Sequence, residues 1–260
     1  MKRIARWMLS MFPRTWLQHI ANMLLPFLDV WYRGNRFTDP INGKSYRRFL
    51  PYGYVNIRPN VLSPGTLSLE RHRLIWLYLQ RKTNFFKSPK KVLHMAPEKA
   101  FLTQLKKMRH LDYVSCDLES PLADVKADIC DLPFADASFD WILCNHVLEH
   151  IPNDTKAMQE LYRVLKPGGK ALLQVPIDIN RNVTFEDDSI TDKAARTKIF
   201  GQYDHVRVYG IDYFNKLRSI GFEVDELQFA TSLNAEERLR YGVVENEYIP
   251  VCIRPMEGQK

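Results

Sequence analysis

From Lys91 onward, short apolar runs alternate with segments whose apolar residues recur at helical spacing. VLHMA (92–96) reads as a buried strand, and Pro97 and Glu98 open a helix running to about Met108. Proline suits a first helical turn, and a glutamate there complements the helix dipole. DYVSCDL (112–118) is a second strand, ADICDLPF (127–134) a loop with a short strand at most, and FDWILCNHV (139–147) another buried strand. NDTKAMQELYRVL (153–165) predicts a helix capped by Asp154, with Met158, Leu161, Tyr162 and Leu165 on one face and KPGG as its stop. KALLQVP (170–176) is the next strand. A polar stretch, 178–204, is a candidate lid or substrate loop. IDYFNKLRSIG (211–221) reads as a helix, and FEVDELQF and EYIPVCIRP as strands with no helix between them, hence an antiparallel pair.

Strands alternating with helices in this way predict an α/β fold. It is Rossmann-like and doubly wound, with a mostly parallel seven-stranded sheet whose last strand is antiparallel. Ahead of it, Ser68–Arg81 predicts a helix with Leu69, Leu74, Trp76, Leu77 and Tyr78 on its apolar side and Ser68 as its cap. Residues 36–67 are turn-rich, with DPING, LPYGY and SPGT. Residues 1–35 predict amphipathic helices, and 68–260 the main domain. The apolar run at the start is broken by Pro13 and Arg14, lacks a small-residue cleavage site, and is too short to span a bilayer.

Charge changes this picture in one respect. The net charge of +7 is unevenly spread. Residues 1–91 hold 17 Lys/Arg against 3 Asp/Glu, and the remainder holds 20 against 27. A basic N-terminal third attracts anions such as lipid headgroups, nucleic acid or an acidic partner, or is simply a solvated face. Residues 1–30 combine apolar and cationic positions in a way that suits peripheral membrane contact, packing on the protein body, or a dimer interface. The four cysteines form no C-x-x-C pair, which suits a reducing, cytoplasmic setting, with the inner face of the membrane as a further possibility.

The candidate chemistry lies where strands end. In sheets of this type, ligands bind outside the carboxyl ends of the strands. His94, Met95, Ala96 and Glu98 follow the first core strand, Asp117 and Leu118 the second, and Asn145–His150 a later one, with Asp128 and Ile129 in the loop between. Asp117 stands at the distance expected of a carboxylate that holds ribose hydroxyls. The first loop, HMAPE, has no glycine. A dinucleotide needs backbone N–H groups and close backbone approach for its pyrophosphate. Pro97 offers no N–H and Glu98 adds negative charge, so NAD fits poorly. S-adenosyl-L-methionine (SAM), a nucleoside without phosphate whose sulfonium is a cation, fits better.

The run ADICDLPFADASFDWILCNHVLEHIPNDTKAMQELYRVLKPGGKALLQVP resembles the core of class I SAM-dependent methyltransferases of the type 11 kind. By that resemblance Asp117 binds the ribose, Asp128 meets the adenine amine with the Ile129 amide beside it, and Asn145 and His146 lie near the methionine part. The departure is the first motif, where the family's acidic-x-Gly-x-Gly pattern is His94-Met95-Ala96-Pro97-Glu98. Glu98 is a candidate contact for the ammonium group. Relatives with an HxAPE-type motif carry two Cys-x-x-Cys pairs, one of them ahead of the domain. Here Asp39, Asn42, Ser63 and Thr66 have that zinc-ribbon spacing without the cysteines, so the resemblance implies a ribbon-like segment that has lost its metal. No metal site is expected.

Methyl transfer is an in-line displacement that draws much of its catalysis from alignment. His146 and His205 are candidate bases, with His150 and Glu149 more in keeping with bracing the sheet end. Arg207 and Tyr209 either shape the substrate pocket or belong to a strand with one buried face. The acceptor implied is a small molecule, lipid or glycan. A non-catalytic module of this fold and an RNA or protein methyltransferase stand as alternatives. Nucleic acid is disfavoured by the lack of an NPPY-type tetrapeptide, and the oligomeric state is left open.

Overall fold

The computed structural model describes residues 25–53, 57–256 and Gly258. Much of the amphipathic segment read from residues 1–35 therefore lies outside the described residues, which are helical over 25–31.

The main sheet has seven strands: β1 (Lys90–Met95), β2 (Leu111–Asp117), β3 (Val125–Lys126), β4 (Phe139–Asn145), β5 (Leu165–Gln174), β6 (Glu223–Leu227) and β7 (Ile249–Ile253). Their order is β6-β7-β5-β4-β1-β2-β3. Only β7 runs against its neighbours, pairing antiparallel with both β6 and β5. Strand order reverses between β1 and β4, so their carboxyl ends open a crevice there.

Alternation along each strand fills two cores, one on each face. Leu93, Met95, Ile142, Cys144, Ala171 and Leu173 face the helices Asp154–Val164 and Tyr213–Ile220. Val92, Trp141, Leu143, Leu172 and Val251 face the helices Glu70–Lys82 and Lys99–Leu105. Strands buried on both faces read as continuous apolar runs, which is why these segments were legible.

Several local expectations are corrected. A helix, Ala235–Tyr241, does lie between β6 and β7, with Asn234 and Glu237 forming its capping box. Its short polar sequence buries none of its own residues, so no apolar stripe marked it. The helix Asp154–Val164 is capped by Asn153, whose side chain accepts from the Lys156 N–H. Asp154 is instead buried, accepting from the Tyr209 hydroxyl and from Lys216. Ser68 does not cap the following helix, because its hydroxyl donates to Asp39. The polar stretch 178–204 holds a short strand, Phe185–Glu186, and a helix, Lys193–Phe200, capped by Asp192. That short strand pairs with Arg207–Val208.

The turn-rich extension forms two hairpins, Arg33–Asp39 with Lys44–Tyr46 and Leu50–Tyr52 with Arg58–Leu62. Side chains tie the first hairpin to its surroundings: Thr66 Oγ1, just after the second hairpin, donates to Asp39 Oδ2 (2.5 Å), and Tyr46 donates to Asp29 (2.6 Å). Gly65 is required there, since a Cβ would stand 2.1 Å from the Tyr46 hydroxyl oxygen. The fully buried Arg73 ties this extension to the body. Its guanidinium donates to the carbonyls of Val61, Ser68, Tyr241 and Gly242.

Candidate functional site

The sheet's carboxyl end assembles the site from loops after β1, β2 and β4. Met95, Ala96, Asp117, Leu118, Asp128, Ile129, Val147 and Ile151 line one concavity. Asp117 accepts the amides of Glu119 and Ser120 through Oδ1 alone, which shapes the turn and leaves Oδ2 without a hydrogen-bond partner among the described residues. Asp128 forms a similar turn with the Cys130 N–H. Both carboxylates are thus oriented by backbone donors and aimed from loops, while Ile129 is buried behind them.

The loop after β1 holds a non-glycine residue in a strained turn. Ala96 lies at φ +45°, in the left-handed region that favours glycine. Holding an alanine there costs on the order of 1–2 kcal/mol. His146 is held likewise at φ +53°, directly after β4. Two strained residues flanking the crevice fit a site held in shape by its surroundings.

Behind the first loop runs a buried polar relay. The Tyr113 hydroxyl lies 2.7 Å from His94 Nδ1, and His94 Nε2 lies 2.6 Å from Glu98. Donation by Tyr113 to Nδ1 and by Nε2–H to the carboxylate accounts for both contacts. The second Glu98 oxygen sits 3.4 Å from His72 Nε2, too poorly aligned for a hydrogen bond. Burial alone would raise the Glu98 pKa, but His72 and His94 outweigh it and hold the group well below the carboxylate range. Burial lowers His72 to about 4, so that ring is neutral at pH 7. His94 is fully buried with both nitrogens engaged. It does not line the concavity expected of it, and its geometry is that of a residue positioning Glu98.

Asn145 is buried, and neither polar atom of its side-chain amide has a partner among the described residues. A buried unsatisfied amide is costly, and a ligand's polar groups would relieve it. His146 lines two further hollows. One is shared with Val175, Pro176, Ile177, Asn246, Glu247 and Tyr248, the other with Arg58, Glu70, Arg71, Val244 and Glu247. Burial raises the Glu247 carboxyl above its ordinary range.

Arg58, Arg71, His72 and Glu247 were missed from sequence. The available signal was in ERHR at the start of the Glu70–Lys82 helix, where Glu70, His72 and Arg73 are buried on an otherwise apolar element. Conversely, Arg207 and Tyr209 line neither hollow. Arg207 donates to the carbonyls of Leu148, Ile151 and Pro152, and Tyr209 donates to Asp154. They fasten the turn after β4, which matches the reading of a strand with one buried face. His205 is carried on the same segment and faces His150 and Glu149, and burial lowers its pKa. Asp140 accepts from the Lys91 N–H and from Lys166, a structural role.

Residues 83–173 match the family described as "Methyltransferase domain". By that match, residues 83–173 form a methyltransferase domain. S-adenosyl-L-methionine is the cofactor of that family. Similar proteins include an uncharacterised protein of Methanocaldococcus jannaschii, 36% identical over 88 residues (34% of this chain and 36% of that one). A tRNA U34 carboxymethyltransferase of Nautilia profundicola is 25% identical over 162 residues (62% and 49%). The ubiquinone/menaquinone biosynthesis C-methyltransferase UbiE of Brucella anthropi is 46% identical over 55 residues (21% and 21%). The chain thus spans about half, or less, of the length of these curated relatives. Among solved structures, a Haemonchus contortus phosphoethanolamine N-methyltransferase 2 in complex with SAM is 16% identical over 69% of this chain and 52% of its own, with a TM-score of 0.45.

The methyltransferase domain's residues fit that cofactor. Asp117 offers a free carboxylate oxygen, Ile129 an apolar wall, and Asn145 an unsatisfied buried amide, all beside a turn that keeps its left-handed residue.

Proposed function

We propose that this protein is a SAM-dependent methyltransferase acting on a small-molecule, lipid or glycan acceptor that enters beside His146. When bound, SAM supplies a methyl group made electrophilic by its sulfonium. Asp117 holds the ribose hydroxyls, Asp128 and the Ile129 amide meet the adenine, and Asn145 receives the methionine end. Glu98, anchored by His94, sits behind the loop as a counter-charge for the ammonium. His146 orients the acceptor and takes its proton where the nucleophile carries one. The carrying observation is the buried Asn145 amide, unpartnered among the described residues and adjoining a strained His146 that lines two hollows distinct from the one lined by Asp117 and Asp128.

The polar lining of the hollows, with Arg58, Glu70, Arg71 and Glu247, supports a polar or charged acceptor over a purely apolar one. Retention of the left-handed turn at Ala96 supports a working cofactor loop over a non-catalytic module. An RNA or protein acceptor has the basic N-terminal third in its favour. The Asp39–Thr66 contact supports reading 36–67 as a ribbon in which hydrogen bonds stand where a metal would.

Calorimetric titration with S-adenosylhomocysteine tests the cofactor site. Micromolar binding is expected, weakened at least tenfold in Asp117→Ala. No binding by folded wild-type protein would overturn the reading.

A further inference from the structure

We propose that Glu149, His150 and His205 form a binding site for one divalent transition-metal cation of the zinc type, beside the acceptor side of the crevice. One ligand-type atom from each of the three residues lies within 4.8 Å of the others. Zinc's ligands stand ~3.3 Å apart at ordinary bond lengths, so modest side-chain rotation closes the set.

The independent observation is Glu149. It is 1% exposed, and neither carboxylate oxygen has a hydrogen-bond partner among the described residues. His146 Nδ1, 3.1 Å from Oε1 and misaligned for a hydrogen bond, is an ion-pair partner that lowers the Glu149 pKa against the effect of burial, while Oε2 has no partner among the described residues. A buried carboxylate left in this state is costly, and a bound cation removes the cost.

Backbone acceptors set the tautomers of the two histidines. His205 Nδ1 lies 3.2 Å from the Phe200 carbonyl oxygen, and His150 Nδ1 lies 3.3 Å from that of Asp204. A nitrogen facing a carbonyl carries the proton, which leaves the lone pair on Nε2. Outer-shell acceptors fix ligating histidines in this way.

The frame around them is rigid and built from two distant segments. The Val206 N–H donates to the Glu149 carbonyl, and Arg207 donates to three carbonyls of the 148–152 turn. His205 is thereby pinned against Glu149 and His150. Arg207, among the costliest side chains to bury, serves this junction.

Two imidazoles and one carboxylate suit zinc and its first-row neighbours better than magnesium or calcium, which prefer all-oxygen sets. Three protein ligands also leave a position open, the arrangement of catalytic rather than structural zinc. A cation there would act on an acceptor hydroxyl as a Lewis acid, lowering its pKa before transfer. That role rests on the proposed methyltransferase reading, whereas the binding site does not. This site departs from the sequence expectation of no metal.

The test is calorimetric titration of the chelator-stripped full chain with zinc chloride, alongside visible absorption on adding cobalt(II). One equivalent is expected to bind with micromolar or tighter affinity. Affinity is expected to fall at least tenfold in both Glu149→Gln and His205→Ala. His205 is only half-buried, so its variant keeps the test informative should Glu149→Gln not fold. No uptake by the wild type, or uptake unchanged in the variants, would overturn the site. S-adenosylhomocysteine titrated into the same stripped sample reports separately on the methyltransferase reading.

Discussion

At the residue scale, the site depends on polar groups buried with few alternatives. His72 titrates near 4 instead of its ordinary 6.5, because burial penalises its charged form. The unfolded chain therefore binds a proton between those values that the folded protein refuses. Stability from this residue is complete above pH 6.5 and declines as pH falls toward 4. Glu98 acts in the same sense at lower pH, since its folded pKa is depressed. Urea unfolding of the wild type at pH 7 and pH 4.5 is expected to differ by about 1–3 kcal/mol, with a smaller difference in His72→Gln. An equal loss in both proteins would remove His72 as the cause. HMAPE makes a left-handed turn at Ala96 without a glycine.

At the element scale, the helix Glu70–Lys82 does two jobs. Its apolar side packs on the sheet through Leu74, Trp76 and Leu77, while its first turn brings Arg71 and His72 to the crevice. Arg73 lies between these roles, joining the hairpin extension to the helix Ala235–Tyr241 through carbonyls of both regions. Replacing it with methionine leaves four carbonyls without their donor. The loss is expected to be about 3 kcal/mol, read as a lower urea midpoint with an unchanged slope. A change within 0.5 kcal/mol would mean the carbonyls find water. The 178–204 stretch and the helix before β7 escaped the sequence for one reason: short, solvated elements carry little apolar periodicity.

At the scale of the whole molecule, the basic N-terminal third and the helical residues 25–31 share one end of the chain. Phe27, Val30 and Trp31 are 75%, 69% and 71% exposed there, and Arg33, Arg36 and Arg47 follow. No helix among the described residues is long and apolar enough to cross a membrane. An exposed apolar set beside cations is suited to an anionic lipid surface. Sedimentation with vesicles containing phosphatidylserine is expected to retain the full chain at low salt. Removal of residues 1–30 should abolish it, and retention by neutral vesicles alone would contradict the electrostatic part.

What the sequence determined by itself is the sheet and the polar residues gathered at its carboxyl end. Buried strands must be apolar throughout, and loop carboxylates at their ends have fixed spacing, so both are written locally. Asp117, Asp128 and Asn145 could therefore be placed from their positions alone. Only the tertiary structure decided which histidine does what. His94 turns inward to Glu98, His146 lines the hollows, and His205 crosses 55 residues of chain to meet His150. Those assignments depend on side-chain direction and on contacts between distant segments, neither of which a linear pattern records.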